Sequence, residues 1–261
     1  MAAIEIRSDF IRIARAFTAG ASGVFSKQYY EKLGDHAFFG IYVEPHPCGR
    51  GVQIVSSDRC AICVQWDPKG YIDRPRLIKG LNHSMAMDMS GAVLDDRWLV
   101  GNAEKLVIRN DGGGRVKTIP LPGVDAYNVR LVGERNEEPG VFAYPNWRHL
   151  MPTQEEIDNM EEGLPGFIDM GYMAILSRLY SDGAQNSRTV RIRHTGGSNP
   201  NAIMQFPWRN HMFVVIAPQV NADASQWREN LLEPLHGDPG DTQVETSKSI
   251  RQRGDDPAAD L

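Results

Sequence analysis

With 261 residues, 41% apolar and 23% charged, with 25 Gly and 16 Pro, the chain has the length and composition of one large or two smaller globular domains. Its apolar runs stop well short of the ~18 residues a membrane-spanning helix needs. Three cysteines are an odd number that argues against a disulfide framework. The net charge of −5 is localised: nine of the 33 acidic and four of the 28 basic residues lie in 221–261, leaving 24 of each before it. Bulk charge therefore does not make the body a nucleic-acid binder, and any attraction for phosphate must come from how its arginines are arranged. The N-terminus has no basic patch followed by an apolar stretch, so the expected location is cytoplasmic.

The first segment, Ile4-Glu5-Ile6-Arg7, alternates like a strand. Ser8-Asp9 can cap a helix over 10–17, which carries Phe10, Ile13, Ala14 and Phe17 on one face and Arg12 and Arg15 on the other. Residues 20–35 read as loop. Strand signals follow at 38–43, 52–55 and 60–66, broken by Pro45-His46-Pro47-Cys48-Gly49 and by Ser56-Ser57-Asp58-Arg59. Residues 76–81 fit one or two helical turns. More strands are expected at 97–100, 106–109, 116–121 and 129–132, with a glycine turn at 112–114. An acidic linker is expected at 153–163. Beyond it the opening pattern recurs as a strand at 166–169, a helix at 170–180 carrying Arg178, and strands at 189–193, 202–206 and 212–217. From about residue 222 the tail is polar and acidic and reads as disordered. Strand–helix–strands thus appears twice. The expected fold class is α+β, antiparallel sheets with one or two helices packed on one face, organised as domains at 1–152 and 153–221 and a tail at 222–261.

Chemistry-bearing motifs are sparse. Cys60-Ala61-Ile62-Cys63 has the C-x-x-C spacing, but no second pair supplies four zinc ligands, and residues three apart on a strand point to opposite faces. The histidines are scattered, Gly112-Gly113-Gly114 lacks the Lys-Ser/Thr of a phosphate loop, and no nucleophile elbow is present. No enzyme activity, metal or cofactor is expected. The arginines are more suggestive: Arg12 and Arg15 on the first helix, Arg76 and Lys79 near the second, and Arg178 on the last all fall on polar sides. They are either a solvated face or a helical surface offered to a phosphate backbone without base readout.

Two segments go further. Val55-Ser56-Ser57-Asp58-Arg59-Cys60-Ala61-Ile62-Cys63-Val64 closes a strand pair, and Tyr144-Pro145-Asn146-Trp147-Arg148-His149-Leu150-Met151-Pro152 follows later. Together they resemble the β subunit of bacterial DNA polymerase III, the sliding clamp of DNA replication, and its phage-encoded relatives. In that family the strand reads Ala-Thr-Asp-Gly-His-Arg-Leu-Ala and the domain ends Phe-Pro-Asp-Tyr-Arg-Arg-Val-Leu-Pro. Val214-Val215-Ile216-Ala217-Pro218-Gln219 is similar to the family's C-terminal strand, which ends Val-Met-Pro-Met.

The resemblance implies DNA-clamp-like domains and a processivity factor of phage or prophage type. Such a protein self-associates into a ring, contacts duplex DNA without reading sequence, and tethers a polymerase or other replication protein through a linear peptide. Arg12, Arg15, Arg76, Lys79 and Arg178 would face DNA. The peptide groove would draw on Ser57, Cys60 and Ile62, on Pro145, His149 and Leu150, and on Ile216, Ala217, Pro218 and Gln219. Where the family has Gly-His-Arg this chain has Arg59-Cys60-Ala61, and Ala217 and Gln219 replace two methionines. The alternative reading is a clamp-fold interaction module that binds or interferes with replication or repair proteins without encircling DNA.

Overall fold

The computed structural model describes residues 3–21, 28, 32, 36–88, 97–102, 104–111, 115–134, 141–163, 170–181, 190–195, 201–206 and 211–217. The described residues all belong to one compact unit within 1–220. The expected disordered tail, the strand at 166–169 and the glycine turn at 112–114 lie outside the described residues.

The elements run β1 (Ile4–Arg7), α1 (Ser8–Ala16), a 3-10 turn at His36–Phe39, β2 (Ile41–Pro45), β3 (Val52–Ser57), β4 (Ala61–Asp67), β5 (Tyr71–Ile72) and β6 (Arg76–Lys79). Then come α2 (His83–Asp88), β7 (Arg97–Gly101), β8 (Leu106–Asn110), β9 (Lys117–Pro120), β10 (Asp125–Leu131), β11 (Phe142–Tyr144) and a 3-10 turn at Trp147–Leu150. The chain continues through α3 (Gln154–Asp158), β12 (Glu161–Glu162), α4 (Met170–Ser181), β13 (Arg191–His194), β14 (Ala202–Gln205) and β15 (Met212–Ile216).

Two sheets result. Five strands order as β5-β1-β7-β8-β9, and ten as β11-β10-β6-β2-β3-β4-β15-β14-β13-β12. Among the described residues every pairing is antiparallel except β10 with β11. The antiparallel pairing of β4 with β15, Ile62 opposite Val215, carries the large sheet from the first part of the chain into the last. Among the described residues no helix is long and apolar enough to cross a membrane.

Strand alternation sorts the core. On β4, Ala61 and Cys63 pack under the helices with Met204, Val214 and Ile216, where Ile13 of α1 and Phe17 at its C-cap meet Tyr172, Ile175 and Leu176 of α4. Ile62 and Val64 point the other way, into a layer with Tyr42, Leu77, Tyr144 and Trp147. The far side of α1 (Phe10, Ile11, Ala14) fills the space between the two sheets. This is the α+β class expected, antiparallel sheets with helices laid on one face.

Several local expectations are corrected. Ser8-Asp9 does not cap α1: the N-cap is Arg7, with no capping side chain, and Ser8 and Asp9 are helical and buried. Asp67 of β4 fixes this helix start instead, accepting the Arg7 backbone N–H and its Nε–H, each at 3.0 Å. Residues 76–79 are strand β6, not helix, because Leu77 and Ile78 are each covered from opposite faces of a sheet paired to β2 and β10. The stretch expected as a linker holds α3, opened by Thr153 and Glu156 in a reciprocal capping box.

Candidate functional site

The turn from β3 to β4 is built around Asp58, which is fully buried. Its Oδ1 accepts the backbone N–H groups of Cys60 at 3.1 Å and Ala61 at 2.9 Å. The Tyr172 hydroxyl of α4 lies 3.0 Å from both carboxylate oxygens. Ser57 Oγ accepts the Arg59 N–H at 3.0 Å. These bonds hold Arg59 at φ 79°, the one positive value at a non-glycine position among the described residues. An L-residue there costs about 1–2 kcal/mol. It is also the position where the resembling family carries glycine.

Beside this turn opens a groove of about 480 Å³. Its floor is a cross-strand row: Ile62 of β4 opposite Val215 of β15, which is opposite Ile203 of β14. All three lie on the sheet face away from α1 and α4. One wall is the 3-10 turn and its exit, His149 to Pro152, and the other side is closed by Glu156 of α3 and Met160. Ala217 and Cys60 sit at one end, joined by an N–H···O bond of 2.7 Å from Ala217 to the Cys60 carbonyl. Leu150 is 58% exposed at the rim. An apolar floor, an exposed leucine and a few rim charges from Arg59 and Glu156 make a surface fit for an extended peptide with an apolar anchor.

The wall is held from behind. Trp147 is buried in the layer with Tyr42 and Tyr144. The Arg148 guanidinium lies 4.7 Å over the Trp147 ring and pairs with Glu44 of β2. Glu44 also accepts the Tyr42 hydroxyl at 2.8 Å. Burial outweighs these partners and pushes the Glu44 carboxyl up from its ordinary value, while burial and Glu44 push the Tyr42 hydroxyl strongly up. On the other side, Glu156 accepts the Thr153 backbone N–H at 2.7 Å and its hydroxyl at 3.0 Å, which holds its carboxyl below the ordinary value.

Of the groove residues expected from sequence, Cys60, Ile62, His149, Leu150 and Ala217 line this one cavity. Ile216 does not: period-2 alternation turns it under the helices, 2% exposed. Ser57 is buried as the acceptor for Arg59, and neither it nor Pro145 lines the cavity. Pro218 and Gln219 lie outside the described residues. Sequence reasoning missed Ile203, Val215 and Glu156. Val215 shares strand parity with Ala217, and Thr153-x-x-Glu156 is a capping-box signature, so both carried a readable signal.

The residues expected to face DNA are placed differently. Arg12 is 9% exposed, since α1 lies between two sheets and α4 and has no open polar side. Arg15 is half-buried; its Nε–H donates to the Leu81 carbonyl at 3.0 Å, and burial lowers its pKa. Arg76 is on a strand, buried, donating to Asn128 at 3.0 Å and Asp73 at 3.1 Å. Lys79, on the same strand, sits 4.7 Å over the Phe142 ring. The Arg178 side chain is outside the described residues. Among the described residues no group of three metal-ligating side chains converges.

No family model matches the sequence, and no curated protein matches it. Solved structures with a similar arrangement include DNA polymerase III subunit β from Borrelia burgdorferi in complex with a natural product, at 8% identity and TM-score 0.47. That match covers 83% of this chain and 63% of the Borrelia chain, so this chain spans less than two thirds of its length. A chain of the PCNA2–PCNA3 complex from Sulfolobus tokodaii is similar at 12% identity and TM-score 0.41, covering 84% and 99% of the two chains. The Bacillus subtilis DNA polymerase sliding clamp is similar at 9% identity and TM-score 0.38, covering 87% and 68%.

Proposed function

We propose that the protein is a non-enzymatic, sliding-clamp-like processivity factor that holds a replication protein by a linear peptide laid in the groove. One observation carries the reading. The clamp-like segments at 55–64 and 144–152, far apart in sequence, both line a single cavity, together with Val215 of β15 and Ala217 just after it. The left-handed Arg59 stands where the family motif has glycine, which supports the alignment of the first segment. Cys60 and Ala61 stand where the family motif has His and Arg, and the relative proposed is of phage or prophage type. Contact with duplex DNA would be sequence-independent and would require self-association.

The groove is tested by fluorescence anisotropy with a labelled linear peptide carrying an apolar anchor, taken from a bacterial replicative polymerase. Leu150→Asp changes an exposed rim residue and leaves the melting temperature unchanged. Losing a buried leucine contact of about 1.5 kcal/mol or more weakens the peptide at least about tenfold. Equal affinity in the variant, or no binding by the parent chain, rejects the groove as the peptide site.

A second reading, an interaction module that does not encircle DNA, is favoured by the burial of Arg12 and Arg76 and the seating of Lys79 on Phe142. Light scattering at several concentrations separates the two. A dimer or trimer retained on circular DNA in a salt-sensitive way supports the ring. A monomer that binds the peptide supports the module.

A further inference from the structure

At the end of the large sheet opposite the groove, the β2–β3 turn carries a second constellation. The turn is closed by the His46 N–H to the Gly51 carbonyl at 3.0 Å and by the Gly49 N–H to the His46 carbonyl at 2.8 Å. Gly49 and Gly51 both have left-handed backbone, at φ 76° and 77°, and a Cβ on Gly51 would meet the Asp67 carbonyl oxygen at 2.2 Å. This tight loop folds Cys48 back on His46, with Sγ 2.9 Å from the ring Nδ1. The Cys48 backbone N–H also points at Nδ1, at 3.2 Å. With Nδ1 accepting that N–H, the neutral ring carries its proton on Nε2, and Sγ, in contact with the same nitrogen, has the Arg50 carbonyl at 3.7 Å as a second acceptor for its S–H.

The imidazole is oriented from its other face. Its ring stacks on Trp66 with centroids 4.8 Å apart and planes 27° apart, and Trp66 is itself held by its indole N–H donating to the Arg50 carbonyl at 3.0 Å. Cys48 is exposed, whereas Cys63 is buried and Cys60 is half-buried. A thiol facing solvent with an imidazole nitrogen 2.9 Å from its sulfur, on a ring held by stacking, has the parts of a nucleophilic cysteine.

We propose that Cys48 is a reactive thiol served by His46, and that it forms mixed disulfides with low-molecular-weight disulfides of the glutathione class. In the exchange, His46 Nδ1 takes the Sγ proton and Sγ attacks one sulfur of the small disulfide. The Cys48 S–S bond forms as the small disulfide's own S–S bond breaks. The departing thiolate then takes the proton from the imidazolium, leaving Cys48 oxidised and one small thiol released. The site is independent of the groove and stands whichever reading of the groove holds.

The test incubates the full chain with oxidised glutathione at pH 7 and follows each cysteine by peptide mass mapping. One adduct per chain forms at Cys48, at least about tenfold faster than at Cys60. His46→Ala slows it about tenfold. His46→Gln, which keeps an acceptor for the Cys48 N–H but offers no base, slows it as much with the turn retained. Cys48→Ser takes no early adduct. A rate unchanged by either histidine substitution, first reaction at Cys60, or a chain-to-chain disulfide as the main product overturns the proposal.

Discussion

Arg59 offers a direct test of how the rim of the groove is shaped. Its φ of 79° lies in the left-handed region, where an L-side chain costs about 1–2 kcal/mol. Arg59→Gly removes that cost but adds about 0.5–1 kcal/mol of unfolded-state entropy. Arg59→Ala removes the same side chain and keeps the cost. The comparison of the two variants therefore isolates the backbone, whatever the guanidinium contributes. The glycine variant is expected to exceed the alanine variant by about 1 kcal/mol, read as the shift in urea midpoint at constant slope. For a unit of this size the same difference is about 2–4 °C in melting temperature. Equal stability would refute the reasoning, because it would mean that the Asp58 and Ser57 bonds do not impose the left-handed turn on this residue.

Two further outcomes follow from the supports of the groove. Tyr172→Phe deletes the hydroxyl bonded to both Asp58 oxygens and should cost about 2 kcal/mol, since a hydrogen bond to a buried carboxylate is at stake; an unchanged urea midpoint would remove Asp58 as the organiser of the turn. Glu44 tests the wall through pH. The groups facing it are Tyr42, Arg148 and Glu134, and its folded-state pKa is raised, chiefly by burial. A raised carboxyl contributes stability that is present below the unfolded value of 4.5 and is lost as pH rises through the folded one. Relative to Glu44→Gln, the parent chain should therefore lose stability as pH climbs from 4 to 7, and a gain over that range would sink the argument.

Much of the strand architecture was legible because alternation on a one-sided sheet is a local signal. The strand over 60–66 and the helix at 170–180 are legible from spacing alone, whereas Cys60, just before β4, packs against the same cluster as Cys63 instead of on the opposite face. Parity also separates Ile216, under the helices, from Val215 and Ala217, in the groove, although the motif resemblance put Ile216 and Ala217 together. The segments at 55–64 and 144–152 were recognisable as motifs, and the cavity draws on both. What local pattern could not supply was the layer covering each face. Arg76-Leu77-Ile78-Lys79 shows no alternation because both faces of β6 are buried, so its period matched a helix as well as a strand. Arg12 looked solvated because an isolated helix leaves its polar side open, and only the second sheet and α4 close over it. The groove floor itself needs Ile62, Val215 and Ile203 brought into one row, a pairing set by strands separated by some 140 residues of chain. Sequence alone determined which side of each exposed strand is apolar, since a two-residue period acts within the strand. The tertiary structure decided which surfaces stay open to a partner, because exposure depends on what the rest of the chain places against them.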